Sequence, residues 1–347
     1  MGIILKFTND ELREKIIDLK NRLDVTVVAH FYQRDEVFEM GDITGDSLEL
    51  ARKTMNDDSE YVVFCGVAFM GQSVKVMSPQ KRVVMPKMAC CSMARMIDSL
   101  YYDDAVKEMN RQGIQSDNIL PITYINSNAD VKAKVAQMGG MVCTSSNAKK
   151  IIETALKENK KILFVPDRCL GQNIANMMGL KSAVITHTVE ATGSNMAADQ
   201  NLADADIICY DGFCAVHQLF TTDDIKFYRK KYPGIKIVTH PECDPAICDA
   251  SDFVGSTSQI INYIKEQPLE QKIAVGTEFN LVNRLREKNT YVLSSTKPEC
   301  PTMNETTLED LYLTLKSIED GNPINEIEVE AEVSKWAKVA LDRMLAL

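Results

Sequence analysis

Four cysteines of this chain stand in turn-forming stretches, where a thiol contributes little to packing. The clearest is Cys214 in "CYDGFCAVHQ", which follows a turn-forming Asp-Gly pair and precedes His217. The others are Cys90 and Cys91 in "ACCSMA" and Cys300 in "PECPTMN". Thiolates and imidazoles are ligands for soft and borderline metals, so these residue types indicate a metal or redox centre. The chain has no C-x-x-C spacing, which argues against a zinc ribbon or a thioredoxin-like site.

Three further cysteines lie in apolar, strand-like runs. They are Cys65 in "YVVFCGV", Cys143 in "MVCTS" and Cys209 in "ADIICY". A buried thiol packs as a small hydrophobic side chain, and we expect that role for these three. The N-terminal stretch "MGIILKFTNDELREKI" turns charged at Lys6 before a signal-peptide apolar region develops, so we expect a cytoplasmic protein without disulfides.

The elements that would position the turn cysteines alternate between strands and helices. The strand-like runs are "TVVAHF", "YVVFCGVAF", "RVVMP", "PITYIN", "GGMVCT", "KILFVP", "SAVIT", "DIICY", "IKIVTH", "DFVGS", "KIAVGT" and "TYVLS". Their continuous apolar character favours parallel strands that are covered on both faces. Between two of them, "NAKKIIETALKEN" places Ile151, Ile152 and Ala155 on one helical stripe. Such alternation predicts an α/β fold.

A weak internal repeat divides the chain into three units. Each unit opens with a strand that ends in polar residues, continues through a hydroxyl-bearing helix start and a further strand, and closes on a turn cysteine. The closing cysteines are Cys91, Cys214 and Cys300. We therefore predict three similar α/β domains around a pseudo-threefold axis, at residues 1–104, 105–220 and 221–347.

Helical patterns flank the repeat at both ends of the chain. Residues 1–24 predict an amphipathic helix whose inward face is Leu12, Ile16, Ile17, Leu19 and Leu23. Residues 305–318 and 326–346 predict two C-terminal helices that pack on the third domain.

The composition excludes several classes of partner. The formal net charge is −10, which argues against a nucleic-acid surface and against an anionic membrane patch. No apolar run approaches the ~20 residues that a transmembrane helix needs. A net-acidic protein that binds an anion must use local devices, such as the backbone N–H groups at helix N-termini.

Three inward-facing units would bring three thiolates to one point. In open α/β units, ligands gather beyond the carboxyl ends of the strands. Three cysteines there suit an iron–sulfur cluster with one iron open for a substrate. Zinc held by the three cysteines with His217 as the fourth ligand, and three unrelated thiols, remain as alternatives.

A set of motifs in chain order resembles the quinolinate synthase family over about residues 25–317. The motifs are "VAHFYQ", "GDSLELA", "ACCSMA", "YINSNA", "VCTSSNA", "VPDRCLG", "GFCAVHQ", "THPEC", "VGSTSQ" and "PECPTMNETTLE". The resemblance implies three similar α/β domains around a central [4Fe-4S] cluster. It also implies condensation of iminoaspartate with dihydroxyacetone phosphate to quinolinate, with loss of phosphate and water, in NAD biosynthesis. L-aspartate oxidase or aspartate dehydrogenase would supply the unstable imine.

The resemblance also implies roles for individual residues. The cluster ligands would be Cys91, Cys214 and Cys300, with Cys90 a structural neighbour. The acid–base candidates are His30, Tyr32, Tyr124 and Glu242. The substrate-binding candidates are His30, Ser47, Tyr124, Ile125, Asn126, Ser145, His217, His240, Pro241, Glu242, Ser256 and Thr257. The extra C-x-x-C redox pair of some members is absent from this chain.

Within the substrate set, the resemblance separates two tasks. Asn126, Ser145, His240 and Thr257 would hold carboxylates, and Ser47 and Ser256 would help to hold phosphate. Ser47, Ser145 and Thr257 are expected at helix N-termini, where capping is the simpler explanation of a serine or threonine. Another cluster-dependent hydro-lyase, or a redox module without catalysis, would share the cysteines. A redox module would not need the polar strand ends.

Overall fold

The computed structural model describes residues 7–190, 193–198 and 201–347. The chain forms two compact units: the first comprises Met1–Cys91 and Glu299–Glu330, and the second comprises Ser92–Pro298 and Ala331–Leu347. Three separate β-sheets with surrounding helices confirm the α/β prediction. One sheet belongs to the first unit and two belong to the second. The domain boundaries after residues 104 and 220 and the pseudo-threefold arrangement stay predictions.

The first sheet has four parallel strands in the order β2-β1-β3-β4. The strands are β1 (Val25–His30), β2 (Ile43–Gly45), β3 (Tyr61–Cys65) and β4 (Arg82–Val84). The helices along this part of the chain are α1 (Asn9–Arg22), α2 (Asp35–Phe38), α3 (Ser47–Met55) and α4 (Ala68–Met77). The run "YVVFCGVAF" is therefore a strand only as far as Cys65, because Ala68 already begins α4.

The N-terminal helix packs on the first sheet much as its periodicity predicts. A capping box between Thr8 and Glu11 begins α1. Its inward face is buried at Leu12, Ile16 and Leu19. Ile17 is 49% exposed, so its assignment to the inward face was wrong. Residues 1–6 of this prediction lie outside the described residues.

The C-terminal helices do not pack on the third sheet, which corrects the prediction. Residues 305–318 contribute to α13 (Leu308–Glu319), whose Leu311 and Leu315 share an apolar core with Ile16 of α1. Each helix presents an apolar stripe, and the two stripes bury each other in the first unit.

The second C-terminal helix packs on the second sheet. It runs as α14 (Ala331–Leu345), a shorter range than predicted, and lies against α6 (Ala129–Gln137). The guanidinium of Arg343 donates hydrogen bonds to the carbonyls of Ala136, at 3.1 Å, and Gly140, at 2.7 Å. These bonds tie α14 to the C-terminal end of α6 and to the segment that follows it.

The second sheet has six strands in the order β6-β5-β7-β10-β8-β9. The strands are β5 (Ile119–Tyr124), β6 (Met141–Cys143), β7 (Lys161–Val165), β8 (Ser182–Glu190), β9 (Gly193–Ala198) and β10 (Ile207–Tyr210). Its other helices are α5 (Ser99–Arg111), α7 (Ala148–Ala155) and α8 (Arg168–Met178). The sequence analysis missed β9, which pairs antiparallel with β8. The segment that forms β9, "GSNMAA", lacks the β-branched residues that marked the other strands.

The third sheet again has four parallel strands, in the order β12-β11-β13-β14. The strands are β11 (Lys236–Thr239), β12 (Phe253–Val254), β13 (Ile273–Gly276) and β14 (Thr290–Val292). The helices are α9 (Thr222–Lys231), α10 (Pro245–Asp249), α11 (Thr257–Glu266) and α12 (Phe279–Arg284). No helix in the described part of the chain combines the length and the apolar character needed to span a bilayer.

The repeat is visible in backbone hydrogen bonding as well as in strand order. In the first sheet the N–H of Val27 donates to the carboxylate of Asp42 at 2.9 Å, and the N–H of Asp42 donates to the Val27 carbonyl at 2.8 Å. Ile237 and Asp252 exchange the same two bonds in the third sheet, both at 2.8 Å. All three sheets contain the same four-strand order, to which the second adds the β8–β9 hairpin. The carboxyl strand ends that carry the candidate residues therefore recur in each sheet.

Candidate active site

A buried polar cluster lies in the second unit, with Glu242 at its centre. The hydroxyl of Tyr124 donates to Oε1 of Glu242 at 2.5 Å, and Nδ1 of His217 lies 3.1 Å from Oε2. Nε2 of His217 lies 3.2 Å from the hydroxyl of Thr277. The His240 ring stacks on that of His217 with 4.7 Å between centroids. Each of the five side chains is at most 5% exposed, so the cluster is shielded from bulk water.

The members of this cluster stand at the carboxyl ends of parallel strands of two sheets. Tyr124 is the last residue of β5, and Thr277 directly follows β13. His240 and Glu242 follow β11, and His217 lies in a 3₁₀ turn after β10. This is the edge at which ligands bind in open α/β sheets. The fold thus assembles four predicted site residues there and adds Thr277.

Glu242 is not the cap of the helix that follows it. The side chain of Asp244 caps α10, since it accepts the N–H of Ala246 at 2.9 Å. The carboxylate of Glu242 is instead held by Tyr124 and His217. The carboxylate of Glu242 is therefore part of the cluster and does not cap α10.

The surroundings of Glu242 keep it ionised. Burial raises its pKa, but the neighbouring imidazoles of His217 and His240 and the hydrogen bonds from His217 and Tyr124 outweigh burial and lower it. We attribute the lowering chiefly to His217, because Nδ1 of His240 lies 3.8 Å from Oε1 and already accepts the N–H of Glu242 at 3.3 Å. The pKa of Glu242 therefore lies below its ordinary value, and the group is a carboxylate at neutral pH.

A second buried carboxyl, Asp167, has the opposite electrostatic balance. Its side chain is 0% exposed, and Oδ1 accepts the N–H of Leu170 at 2.8 Å as the N-cap of α8. Oδ2 has no hydrogen-bond partner among the residues that the structure describes. Burial and the negative charge of Glu242 raise the pKa of Asp167 well above its ordinary value. The two carboxyls thus favour different protonation states, which is a common arrangement in acid–base sites.

The first unit contains a smaller group of candidate residues. His30 ends β1 and is 4% exposed, and its ring lies edge-on to Tyr32, with 4.8 Å between ring centroids. Nδ1 of His30 accepts the backbone N–H of Tyr32 at 3.1 Å. Ser47 is the first residue of α3, and the side chain of Asp46 caps that helix. The structure therefore confirms Ser47 as a first-turn residue.

Exposure separates the turn cysteines from the other cysteines. Cys65, Cys143, Cys169, Cys209, Cys243 and Cys248 are buried, whereas Cys90, Cys91, Cys214 and Cys300 are partly exposed. Burial also raises the pKa of the Cys65 thiol to about 12, so this group stays protonated. The three strand cysteines are core residues, as predicted, and the turn cysteines are the accessible ones.

Each predicted ligand follows the corresponding strand of its repeat. Cys91 comes after β4, Cys214 after β10 and Cys300 after β14, which are the fourth strands of the shared order. The thiol of Cys90 donates to the carbonyl of Cys91 at 3.8 Å, a contact that suits its predicted structural role.

The hydroxyl-bearing candidates occupy two kinds of position. Thr257 is the first residue of α11 and is 5% exposed, and Ser256 caps that helix in a capping box with Gln259. Ser145 does not begin a helix, which corrects the prediction. It lies in a turn after β6, and the following helix α7 begins only at Ala148. Asn147 occupies the N-cap position of α7, so Ser145 lies before the start of that helix.

The backbone next to two candidate residues is held by buried donors. The carbonyl of Ile125 accepts a hydrogen bond from Nζ of Lys132 at 2.9 Å. The carbonyl of Pro241 accepts one from Nδ2 of Asn173 at 2.8 Å. Asn126, between strand β5 and helix α6, is partly exposed.

Sequence reasoning missed several members of this site. Asp167 was part of the quoted motif "VPDRCLG" but was not among the candidate site residues, and its burial could not be read from the sequence. Thr277 carried only one signal, its place directly after a strand-like run. Lys132 and Asn173 carried none, because a lysine or asparagine within a helical pattern is ordinarily a solvated residue.

The donor set in the second unit is suited to a metal. The ligand atoms of Cys214, His217 and Glu242 all lie within 4.8 Å of one another. Both ring nitrogens of His217 already face hydrogen-bond partners, Glu242 and Thr277. The accessible thiol of Cys214 is therefore the group of this set best placed to serve as a ligand. Soft thiolate donors fit an iron–sulfur cluster or zinc.

Fold and site together define an α/β protein with a buried cluster of ionisable side chains and with thiols suited to a metal cofactor. Comparison with known families is more specific. The family model for quinolinate synthetase A protein matches residues 14–346. The chain belongs to this family, so it is an enzyme, and the alternative of a redox module without catalysis is wrong.

Several curated relatives cover nearly the whole chain. A quinolinate synthase of Helicobacter pylori (strain HPAG1) is 52% identical over 344 residues, which are 98% of this chain and 99% of the relative. A quinolinate synthase of Streptomyces coelicolor is 40% identical over 93% of this chain and 84% of its own. One of Bacillus pumilus is 40% identical over 97% of this chain and 93% of its own.

Proposed function

We propose that this enzyme condenses iminoaspartate with dihydroxyacetone phosphate to form quinolinate, with loss of phosphate and water. The observation that carries the proposal is the buried Tyr124–Glu242–His217 cluster at the carboxyl strand ends of a chain in the quinolinate synthetase A family. Ring closure by condensation and dehydration needs repeated proton transfers, which a shielded chain of hydrogen-bonded acid and base groups can perform.

Glu242 and Tyr124 form the acid–base pair in this proposal. Glu242 is ionised, so its Oε1 can accept the phenolic proton across the 2.5 Å hydrogen bond. His217 holds the other carboxylate oxygen, and Thr277 holds the far nitrogen of the His217 ring. A phenol that donates to a carboxylate can pass a proton to or from a substrate atom within reach of its oxygen. Tyr32 and His30 are the corresponding candidates of the first unit.

Cys91, Cys214 and Cys300 would hold a [4Fe-4S] cluster. All three thiols are partly exposed, unlike the six buried cysteines, and each follows the fourth strand of its repeat. When bound, such a cluster supplies a Lewis-acidic iron without a protein thiolate, which can polarise a substrate hydroxyl. Zinc with His217 as fourth ligand is less well supported, because both nitrogens of that ring are engaged.

Anionic substrate groups would be held by strand ends and helix starts. We assign carboxylates to Asn126, Ser145, His240 and Thr257, and phosphate to Ser47 and Ser256. The first turns of α3 and α11 contribute backbone N–H groups and the positive end of the helix dipole. These local donors offset the repulsion expected from a net charge of −10. The imine itself would come from an L-aspartate oxidase or an aspartate dehydrogenase.

The test is purification under anaerobic conditions, followed by an assay with iminoaspartate and dihydroxyacetone phosphate. We expect quinolinate and inorganic phosphate in equal amounts, with iron and sulfide bound to the protein. A preparation with full iron and sulfide content that forms no quinolinate would refute the proposed function.

A further inference from the structure

Asn173, on α8, contacts the backbone on both sides of Glu242. Its side-chain Nδ2 donates to the carbonyl of Pro241 at 2.8 Å and to the carbonyl of Cys243 at 2.8 Å. The Asn173 side chain is 2% exposed, so water does not compete for these bonds. Both N–H groups of one amide are thus used to hold the two peptide groups that flank a single residue.

The orientation of the Asn173 amide follows from its partners. Only the NH₂ end of the amide can face the two carbonyl oxygens, because the opposite orientation would place Oδ1 against them and bring three oxygens together. Its Oδ1 is buried without a hydrogen-bond partner among the described residues. A buried acceptor without a partner lowers stability. An apolar residue at position 173 would avoid the unsatisfied oxygen but would also lose the two hydrogen bonds. The two donated hydrogen bonds are therefore what an amide contributes here.

The two hydrogen bonds restrict where the Glu242 carboxylate can lie. Fixing the Pro241 and Cys243 carbonyls limits rotation of the peptide groups on both sides of Glu242. Two hydrogen bonds within the turn also hold it. The N–H of Glu242 donates to Nδ1 of His240, and the N–H of Cys243 donates to the carbonyl of His240. Asn173 adds a tie from a different helix, which anchors this turn to α8.

We propose that Asn173 is a positioning residue that aims the Glu242 carboxylate at Tyr124. The expected effect of Asn173 on turnover rests on the proposed function, whereas its effect on the position of the Glu242 carboxylate does not. Misplacing a catalytic group by about 1 Å can lower a rate by about 10²-fold. Because Asn173 itself touches no reacting atom in this account, its loss should lower kcat and leave the KM for both substrates nearly unchanged.

Lys132 forms an independent contact of the same kind around Asn126. Its Nζ donates to the carbonyl of Ile125 at 2.9 Å and to the carbonyl of Ser127. The side chain is 1% exposed, and burial lowers the pKa of Lys132 to about 7. Either protonation state of a lysine has enough N–H groups for two carbonyls. Because Asn126 is assigned to substrate binding, Lys132→Met should raise KM more than it lowers kcat.

The variants Asn173→Leu and Asn173→Ser test the first inference in the holoenzyme. Asn173→Leu keeps the branching and the number of side-chain heavy atoms and removes both donors, whereas Asn173→Ser keeps one donor. Ile174→Ala is the matched control, because Ile174 is a buried neighbour on α8 whose truncation loosens the same helix without touching the carbonyls. We expect kcat to fall by roughly 10- to 100-fold in Asn173→Leu and less in Asn173→Ser, with KM within about twofold.

Two results would overturn the inference. One is a folded Asn173→Leu enzyme with kcat within about twofold of wild type. The other is an equal loss of kcat in an Ile174→Ala variant of matched melting temperature, since that would be a general loss of packing.

A crystal structure of either Asn173 variant separates this inference from the proposed function. We expect the Tyr124–Glu242 hydrogen bond to lengthen or break, whatever reaction the enzyme catalyses. An unchanged distance would refute positioning by Asn173, whereas a wild-type holoenzyme without quinolinate formation would refute the proposed function alone.

Discussion

Replacing Tyr124 by phenylalanine removes one oxygen from the centre of the buried cluster. The hydroxyl donates to Oε1 of Glu242 at 2.5 Å, and the tyrosine is 5% exposed. The aromatic ring stays, so packing around β5 should be preserved. The change therefore tests the hydroxyl itself, both as a partner of the carboxylate and as a carrier of a proton.

The size of the effect follows from the charge and burial of the acceptor. A hydrogen bond to a charged group contributes about 1.5–3 kcal/mol, and Glu242 keeps its contact with His217 when the phenol is lost. Because this contact with His217 remains, we expect the free energy of unfolding to fall by only about 1–2 kcal/mol. Because the Tyr124 hydrogen bond lowers the pKa of Glu242, its removal should shift that pKa upward. If the hydroxyl transfers a proton, kcat should fall by roughly 10²-fold or more.

The assay compares kcat, KM, iron content and melting temperature of Tyr124→Phe with those of wild type and a control. Tyr102→Phe is the control, because Tyr102 is 1% exposed in the same unit and its hydroxyl contacts the sulfur of Met138 at 3.1 Å, outside the cluster. We expect full iron content in both variants and a large loss of kcat only in Tyr124→Phe. Near-normal kcat with a raised KM would show that Tyr124 is a binding group, and the acid–base assignment would be wrong.

Three further predictions concern the cofactor and the second buried carboxyl. Alanine at Cys91, Cys214 or Cys300 should abolish iron binding and activity. The control Cys65→Ala should lower the free energy of unfolding by only about 1–3 kcal/mol. A brown Cys214→Ala protein with full iron content would exclude Cys214 as a ligand. Air should inactivate the enzyme, and iron with sulfide under reductant should restore it; lasting activity in air would favour zinc. Asp167 has a raised folded-state pKa, so it stabilises the fold at low pH and this contribution is lost as pH rises through that pKa. Asp167→Asn should therefore remove the decline in unfolding free energy that occurs as pH rises from the ordinary aspartate pKa to the raised pKa of Asp167, as measured by urea titration at several pH values, and an unchanged profile would contradict the assignment.

Much of the fold could be predicted because its strands are buried on both faces. Continuous β-branched runs identified twelve of the strands, and each is present in the structure. The short strand Ile43–Gly45 and the hairpin strand Gly193–Ala198 were missed, since neither has an apolar run. Where the C-terminal helices pack could not be derived from periodicity. An amphipathic stripe shows that a helix buries one face, but not which sheet it covers.

The candidate site was predictable where residues directly follow strands. His217 was singled out by its residue type in a turn after a strand, whereas Tyr124, His240 and Glu242, which stand at strand ends, were predicted through the family resemblance. Side chains that reach the site from helices gave no signal, because their roles depend on contacts across the chain. Asn173 is 68 residues from Pro241 in sequence, and its hydrogen bond exists only because α8 packs beside the turn after β11.

The repeat explains why His30 of the first unit and His240 of the second resemble each other while their neighbours differ. Nδ1 of His30 accepts the N–H of Tyr32 at 3.1 Å, and Nδ1 of His240 accepts the N–H of Glu242 at 3.3 Å. In both turns the accepting nitrogen lacks a proton, so the neutral ring carries its proton on Nε2. Nδ1 of each ring is therefore engaged within its own turn. The residue two positions later is free to vary, and it is a phenol in one repeat and a carboxylate in the other. One backbone arrangement thus carries a phenol in the first unit and a carboxylate in the second, and in the proposed function these two groups are the weak acid and the base.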